Sequence, residues 1–349
     1  MTSLIFNKGE NAMKYPNSVC AFLISICLLL GFTACDSGAS SETSSGPPAF
    51  VLSWGSSGAT AGHFNAPAGI AVDSSGYVYV ADSGNNVIQI FDSNGTFESN
   101  IGTFGGGSSV DGKFNAPQGM AFDGSGNIYV ADANNSRVQK FALGATAFSY
   151  TYSSKFGSPG TGALQFNGGP TGIAIDDATG YLWVVDKGNS RVQIWYLNGA
   201  VWTQFTTVGY YQAVIDPGAA GNYQYNQPWG IAIAGTHAYL PDTNHYRMIR
   251  IQLSNATPNL VWGVNGTADG DLGAPMGVAV DSSGHVYVVE YSNNRIQEFS
   301  SSGEFITKWG TSGTGDGEFS GPMGIAIDDT NGFIYIADTG NNRIQKFKK

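Results

Sequence analysis

Hydrophobic and polar positions alternate along most of the chain in short runs separated by turn residues. YVYVAD at residues 77–82 is one such run, and NIYVAD at residues 127–132 is another. A period of two places alternate side chains on opposite faces of a β-strand. The runs are separated by turns rich in Gly, Ser and Asn, such as DSSG at residues 73–76. The pattern therefore predicts many short strands joined by tight turns.

This strand pattern recurs six times, which indicates a repeat protein. Each copy opens with Pro-x-Gly-Ile/Met/Val-Ala, at Pro67, Pro117, Pro170, Pro228, Pro275 and Pro322. Three strands follow in each copy, and a fourth ends in an aromatic-glycine pair, at Phe104-Gly105, Phe156-Gly157, Trp262-Gly263 and Trp309-Gly310. Four short strands in a repeat of about 40–50 residues are typical of a β-propeller blade.

The last copy stops at Lys349 after its third strand, and the missing strand is found at the other end of the repeats. Trp54 lies 13 residues before Pro67, as Trp309 lies 13 residues before Pro322. The segment 50–55 should therefore complete the sixth blade and remove an open sheet edge. The fold we predict is all-β: a six-bladed β-propeller over residues 50–349 with four antiparallel strands per blade, the N-terminal strand completing the last.

The consensus P-x-G-I-A-V-D…V-Y-V-A-D-x-x-N-x-R-I-Q resembles the NHL repeat, and the resemblance covers residues 50–349. It implies the propeller fold but not one function. Propellers of this family include protein-interaction modules, RNA binders, sensor domains and a peptide-amidating lyase. Function has to be argued from the site.

An acid and an arginine recur five residues apart in the repeats, and we interpret them as structural because a pair present in nearly every blade serves every blade. The acid is expected to cap the following turn, and the arginine to bridge to a carboxylate or carbonyl. The acids are Asp82, Asp132, Asp186, Asp242, Glu290 and Asp338; the arginines are Arg137, Arg191, Arg247, Arg295 and Arg343, with Val87 in the first copy.

The four histidines do not indicate a catalytic metal. His63 and His245 fall in loops on one face of the ring but in different blades, and His237 and His285 fall on the other face. A catalytic zinc needs three converging ligands. We assign no metal, no cofactor and no catalytic residue from the sequence.

The N-terminus resembles an export signal. Residues 19–32 are apolar and uncharged, Lys14 precedes them, and Phe32-Thr33-Ala34-Cys35 resembles the lipobox of bacterial lipoproteins. We expect a signal peptide at residues 1–34, with Met13 as an alternative start that would make residues 1–12 a mis-assigned extension. Cys35 would carry the lipid and residues 35–49 form a flexible tether. A true membrane anchor is the alternative.

Composition limits the partners. The formal charge is −10, and only 12% of residues are charged whereas Gly accounts for 49. An acidic chain repels phosphate backbones, so no nucleic acid is expected and the membrane is contacted only through the lipid. We expect an exported monomer of the bacterial cell envelope, lipid-anchored at Cys35 or secreted.

The candidate ligand site lies at the mouth of the central channel. The residue between the repeat proline and glycine should face it, and half of this ring is large and apolar. The candidates are Trp229, Met276, Met323, Gln118 and Thr171, joined by Tyr210, Tyr211 and Tyr223 from the longest repeat interval. Ala68 completes the ring. Channel packing alone would explain the same residues.

Three function classes remain open. The first is a non-catalytic binding or scaffold propeller that recognises a protein, peptide or glycan at the channel mouth. The alternative is a propeller-type enzyme, a lyase or lactonase acting on an extracytoplasmic small molecule or peptide; a metal bound in the channel would favour it. A purely structural envelope component is also consistent with the sequence.

Overall fold

The computed structural model describes residues 46–198, 201–208 and 224–349. These residues form a six-bladed β-propeller with four antiparallel strands in every blade, which confirms the predicted fold. The signal-like segment, Cys35, Tyr210, Tyr211 and Tyr223 lie outside the described residues.

The strands of blades 1 to 3 follow the three predicted segments and the fourth in chain order. Blade 1 consists of Pro67–Val72, Val78–Asp82, Val87–Phe91 and Phe97–Gly102; blade 2 of Pro117–Phe122, Ile128–Asp132, Arg137–Leu143 and Tyr150–Phe156; blade 3 of Pro170–Asp176, Tyr181–Asp186, Arg191–Asn198 and Val201–Val208.

Blades 4 to 6 have the same arrangement. Blade 4 consists of Ala232–Ala234, His237–Asp242, Arg247–Gln252 and Thr257–Trp262; blade 5 of Pro275–Val280, Val286–Glu290, Arg295–Phe299 and Phe305–Trp309; blade 6 of Ile325–Asp328, Phe333–Asp338, Arg343–Lys348 and the N-terminal strand Ala49–Trp54. A short parallel pair, Thr311–Ser312 with Glu318–Phe319, precedes blade 6.

The N-terminal strand closes the ring. It pairs antiparallel with Arg343–Lys348, with Trp54 opposite Ile344 and Ala49 opposite Lys348. First strands of neighbouring blades contact one another around the whole ring, including those of blades 6 and 1. The N-terminal strand thereby covers the edge of Arg343–Lys348, which would otherwise be unpaired.

Six hydrophobic cores lie between the six pairs of neighbouring blades. Each contains one almost fully buried side chain from the loop that precedes the repeat proline: Phe64, Phe114, Phe166, Tyr225, Leu272 or Phe319. In five of them a glycine ends the preceding fourth strand against that side chain; a Cβ on Gly55 would stand 2.4 Å from the Phe64 ring.

One predicted boundary is wrong. The aromatic-glycine pair Phe104-Gly105 does not end the fourth strand of blade 1, because that strand ends at Gly102. Gly102 lies against the Phe114 ring, whereas a Cβ on Gly105 would meet nothing within 4 Å. The aromatic-glycine pattern gave the wrong strand end because Ile101 takes the place of the aromatic residue in this blade.

The connections between second and third strands are short 3₁₀ helices, such as Ser83–Asn85, Ala133–Asn135, Lys187–Asn189, Thr243–His245 and Thr339–Asn341. Together with the loops that join fourth to first strands, they form one face of the propeller, the channel-mouth face. Within the described residues, no helix is long and apolar enough to span a membrane.

Candidate functional site at the channel mouth

The central channel is narrow. A cavity of about 80 Å³ lies on its axis, lined by the repeat glycines and the residues on either side of them. Such a volume corresponds to only a few water molecules, at about 30 Å³ each. A ligand would therefore contact the rim of the channel rather than enter it.

The channel is narrow because each repeat glycine lies against the backbone of the next blade. A Cβ on Gly69 would stand 2.1 Å from the carbonyl oxygen of Gln118, and one on Gly172 would stand 2.7 Å from that of Trp229. The same relation holds at all six positions: Gly69, Gly119, Gly172, Gly230, Gly277 and Gly324. The glycine of the Pro-x-Gly motif is therefore required by inter-blade packing.

The six candidates between proline and glycine do not behave alike. Ala68 and Thr171 are each 3% exposed, and the Thr171 Oγ1 donates a hydrogen bond of 2.8 Å to the carbonyl oxygen of Trp229. The side chains of Trp229, Met276, Met323 and Gln118 are half-buried. The channel cavity is lined by Ala68, Thr171, Trp229 and Met323, but not by Gln118 or Met276.

A lysine that the sequence analysis did not single out lies beside this rim. The Nζ of Lys187 lies 4.1 Å from the centroid of the Trp229 ring, the geometry of a cation–π contact. Burial lowers the pKa of Lys187. Among the described residues, no carboxylate forms an ion pair with it. Lys187 directly follows the repeat acid Asp186. Its position in the repeat was the sequence signal that could have identified it.

The equivalent position in three other blades has a different role. Ser83, Thr243 and Thr339 each donate a hydroxyl hydrogen bond to the carbonyl oxygen of the next blade's repeat proline, at 2.5, 2.7 and 2.7 Å. These hydroxyls fasten neighbouring blades together. Lys187 provides no such bond and instead places a cation at the channel mouth.

Gln118 contributes a polar group to the same rim. Its Nε2 donates to the Ser83 Oγ at 3.3 Å, while its Oε1 is buried and has no hydrogen-bond partner among the described residues. A buried polar atom without a partner is unfavourable by about 1–3 kcal/mol.

The recurring acids lie in buried hydrogen-bond networks. The Oδ2 of Asp132 accepts bonds from Arg137 Nε at 2.6 Å, Asn135 Nδ2 at 2.8 Å and Gln139 Nε2 at 3.0 Å. Its Oδ1 accepts the backbone amide of Asn115 at 2.7 Å. The asparagine and glutamine of the network were not recognised in the sequence as partners of the acid.

The acid does not cap the turn that follows it, contrary to the sequence-based expectation. None of the described 3₁₀ helices has a side-chain cap hydrogen bond from its acid. The carboxylate instead holds the loop before the repeat proline, as Asp82 does through the amide of Asn65 at 2.8 Å. Burial raises the pKa of Asp82 and that of Asp132, although hydrogen bonds oppose the shift.

The arginines connect these acids to the same loops. Besides Asp132, Arg137 donates to the carbonyl oxygens of Ser109, Val110 and Lys113 at 3.0–3.1 Å. In blade 4 the asparagine is replaced by His245, whose Nδ1 lies 2.9 Å from Asp242 Oδ2. The described residues contain no group of three or more His, Cys, Asp or Glu that could hold a metal ion.

With this geometry established, comparison with known proteins identifies the repeat. The NHL repeat model matches residues 64–91, 114–141, 167–195, 272–299 and 319–347. Five of the six blades of this propeller therefore contain NHL repeats. Blade 4, which contains Trp229 and His245, lies between the matched segments.

The sequence relatives share only a short part of their length with this NHL-repeat chain. Protein lin-41 of Caenorhabditis elegans is 37% identical over 95 residues, which is 26% of this chain and 8% of that protein. The E3 ubiquitin-protein ligase TRIM71 of Bos taurus is 48% identical over 48 residues, 14% of this chain and 6% of that protein.

Solved structures share the fold at low identity. A protein of unknown function from Bacteroides thetaiotaomicron has a TM-score of 0.65 at 15% identity, covering 84% of this chain and 74% of its own. An auxiliary nutrient binding protein from the same organism has a TM-score of 0.57 at 15% identity, covering 81% and 69%. Virginiamycin B lyase from Staphylococcus aureus has 0.52 at 14%, covering 82% and 95%.

Proposed function

We propose that this NHL propeller is a non-catalytic binding or scaffold protein of the cell envelope that recognises a peptide, protein or glycan at the channel mouth. The observation that carries the proposal is the cation–π contact of Lys187 with Trp229, at 4.1 Å. It combines a flat aromatic surface with a positive charge that no described carboxylate neutralises.

The rim has the mixture of groups that small ligands and peptides need. Trp229, Met276 and Met323 supply an apolar surface, Lys187 supplies a donor with positive charge, and the half-buried Gln118 adds a polar side chain. Mostly apolar surfaces with a few placed polar groups are typical of binding sites. Tyr210, Tyr211 and Tyr223 belong to the proposal on sequence grounds alone.

Attachment to the envelope is proposed from the sequence. The apolar segment 19–32 and the sequence FTAC ending at Cys35 support export followed by lipid attachment. Metabolic labelling with palmitate tests this: the parent should incorporate label and Cys35→Ser should not. Equal labelling of the two proteins would contradict acylation at Cys35.

The binding proposal is tested by screening the purified protein against peptide and glycan arrays. For any hit, Trp229→Ala should weaken binding by roughly 10- to 1,000-fold, as aromatic hot spots do. Leu197→Ala is the matched control, because Leu197 is 46% exposed and lies near the loops of the opposite face. Unchanged affinity in the Trp229 variant would contradict the proposed site.

The enzyme alternative is tested in the same preparation. The similarity to virginiamycin B lyase is a similarity of fold at 14% identity. Elemental analysis of the purified protein should find no stoichiometric metal if the binding proposal is correct. A bound metal together with lyase or lactonase turnover would favour the enzyme.

A further inference from the structure

A second cavity lies between blades 1 and 2, and none of its lining residues belongs to the channel mouth. Its volume is about 330 Å³, and its walls come from the loop joining the first two strands of each blade and the loop before Tyr150. These loops are on the face opposite the channel mouth. We name it the inter-blade groove, lined by Asp73, Tyr77, Tyr79, Phe122, Phe148 and Tyr150 together with Asp123 and smaller residues.

The walls of the inter-blade groove are mainly aromatic. The Tyr77 and Phe148 rings meet edge to face with centroids 4.6 Å apart, and Tyr79 packs in the same way against Phe122 at 4.8 Å. Phe148 has a φ of +57°, which an ordinary L residue seldom adopts, and sits in the longer hairpin loop of blade 2. This loop brings an aromatic ring over the groove.

The carboxylate of Asp73 lines the groove beside these aromatic walls. The Oδ2 of Asp73 accepts a hydrogen bond from the Tyr79 hydroxyl at 3.2 Å, and that hydroxyl lies 3.1 Å from the hydroxyl of Tyr150. No Lys, Arg or His of the described residues forms an ion pair with Asp73. Asp123, the other acid of the groove, is already paired with Lys140 Nζ at 3.4 Å.

Both blades next to blade 1 have a lysine of their own opposite the tyrosine that is equivalent to Tyr79. On the third strand, the residue paired with the tyrosine is Lys140 opposite Tyr129 in blade 2, and Lys346 opposite Tyr335 in blade 6. The Nζ of Lys140 lies 5.0 Å from the Tyr129 centroid and contacts Asp123. In blade 1 the position opposite Tyr79 is Ile90.

Blade 5 obtains its cation from another strand. Its residue opposite Tyr287 is Glu298, and Lys349 reaches Asp281 from blade 6 with Nζ to Oδ2 at 2.5 Å. The acid–tyrosine pair of this repeat is therefore accompanied by a lysine in blades 2 and 5. Blade 1 has the acid and the tyrosine but Ile90 in place of the lysine, and a cavity lies beside the acid.

We propose that the inter-blade groove binds a small organic cation, an ammonium group with an apolar body. The ammonium would lie beside Asp73 of blade 1 as Lys140 lies beside Asp123 of blade 2, and it would donate a charge-assisted hydrogen bond to the Asp73 carboxylate. The apolar body would pack against the rings of Phe122, Phe148 and Tyr77, and the ring faces would also attract the ammonium charge. This proposal is independent of ligand binding at the channel mouth.

The charges and the size of the groove favour this ligand class. An anion would meet Asp73 and the negative net charge of −10. A volume of about 330 Å³ is at the lower end of the range for small-molecule sites, roughly 300–1,000 Å³. A compact amine therefore fits the groove better than a folded partner does.

The probe is n-hexylammonium chloride, titrated into the purified protein and followed by saturation-transfer NMR. Its neutral analogue 1-hexanol and the sugar glucose are measured in parallel. The proposal predicts that hexylammonium binds at least about tenfold more tightly than either, a difference of about 1.4 kcal/mol. A peptide with one central lysine distinguishes a free amine from a protein side chain as the source of the ammonium group.

Asp73→Asn is the main variant. The asparagine oxygen can still accept the amides of Ser75 and Tyr77, which Asp73 Oδ1 accepts at 2.9 and 3.0 Å, so the turn should remain intact. Asp92→Asn is the matched control, because Asp92 holds the amides of Asn94 and Thr96 in the same way but does not line the groove.

The expected result is a loss of hexylammonium affinity of at least about tenfold in Asp73→Asn and less than about twofold in Asp92→Asn. Phe148→Ala, which removes an aromatic wall on a surface loop, should also weaken binding. Equal affinity of parent and Asp73→Asn would overturn the proposal, as would binding of 1-hexanol or glucose as tight as that of the amine.

Discussion

The carbonyl oxygen of Ala68 occupies the space in which Gly324 would carry a side chain. A Cβ on Gly324 would stand 2.1 Å from that oxygen. The two residues belong to the last and first blades, so this contact joins the ends of the propeller at the channel. The N-terminal strand strengthens the same junction at the outer edge: Trp54 pairs with Ile344 inside blade 6, and the Trp54 ring packs 5.9 Å from Phe91 of blade 1.

Gly324→Ala should destabilise the propeller by about 3 kcal/mol, since the methyl group must displace backbone in a close-packed ring. Gly106→Ala is the control, because a Cβ there meets nothing within 4 Å and its φ is not in the left-handed region. Urea denaturation of both variants provides the measurement. A Gly324 variant as stable as the control would mean that the first strands are not tightly docked.

Deleting residues 50–55 should destabilise the whole domain. The deletion leaves blade 6 with three strands and an unpaired edge. It also removes the Trp54 ring, which packs 5.9 Å from Phe91 of blade 1 and 6.1 Å from Tyr335 of blade 6. Buried Trp→Ala changes typically cost about 3–5 kcal/mol of stability. Because Trp54 is only half-buried, we expect its loss to contribute about 3 kcal/mol to the destabilisation.

Thermal unfolding of the deletion variant gives the outcome. A single transition at a clearly lower temperature is expected, because removal of one strand exposes two inter-blade cores. Melting at the parent temperature would show that the ring closes without this strand.

The spacing of motifs was sufficient for the fold but not for the contacts between repeats. The Pro-x-Gly motif and the acid–arginine spacing recur in the copies of the repeat, so they identify positions within one blade and not contacts between blades. The contact of Lys187 with Trp229 joins different repeats, and only docking of blade 3 on blade 4 brings the two together. The inter-blade groove was not visible for the same reason, since Asp73 and Tyr150 come from neighbouring blades.

Arg137→Ala should destabilise the protein by about 3–5 kcal/mol at neutral pH, because it leaves the fully buried Asp132 carboxylate without its counter-charge. Arg247→Ala is a graded control, since its side chain is 27% exposed against 6% for Arg137. Its effect should be smaller, about 1–3 kcal/mol.

The pH dependence separates this electrostatic effect from lost packing. The pKa of Asp132 is raised by burial already in the parent, and removal of Arg137 raises it further. A raised pKa contributes stability at acid pH that is lost as pH rises through the folded-state value. The deficit of Arg137→Ala should therefore be smaller at about pH 4 than at about pH 8. A deficit that does not change with pH would indicate packing alone.

Lys349→Ala should destabilise the protein by about 1–3 kcal/mol at pH 7 and have little effect at about pH 2. Burial acts to raise the pKa of Asp281, but the hydrogen bond from Lys349 and the amide of His285 outweigh it, and the pKa lies below its usual value. A lowered pKa contributes stability above the unfolded-state value, which disappears as pH falls through the folded-state value.

Lys348→Ala is the control for this pH profile. It removes the same charge, but Lys348 Nζ donates to the carbonyl oxygen of Asn331 rather than to a carboxylate. The melting temperature of each variant is compared with that of the parent across this pH range. The difference should disappear at acid pH for Lys349→Ala but not for Lys348→Ala. Parallel profiles would show that the pair with Asp281 adds no stability.

Lys187→Met should leave stability unchanged or raise it while weakening ligand binding at the channel mouth. Burial lowers the pKa of Lys187, so the folded state holds this proton less tightly than the unfolded chain and the charged lysine opposes folding at neutral pH. The contact with Trp229 offsets this only by about 0.5–2 kcal/mol. A residue that opposes folding but lies on a binding rim is consistent with a functional role.

Stability and affinity have to be measured together on Lys187→Met, Trp229→Ala and the double variant. If both side chains contact one ligand, the double variant should lose less affinity than the sum of the single losses, because the lysine is positioned by the ring. Stability of Lys187→Met should stay within about 1 kcal/mol of the parent and rise relative to it as pH falls below the usual lysine pKa, because the parent then buries a charged lysine and the variant does not. A loss of several kcal/mol in Lys187→Met with normal affinity would instead make the Lys187–Trp229 contact a structural clamp between blades 3 and 4.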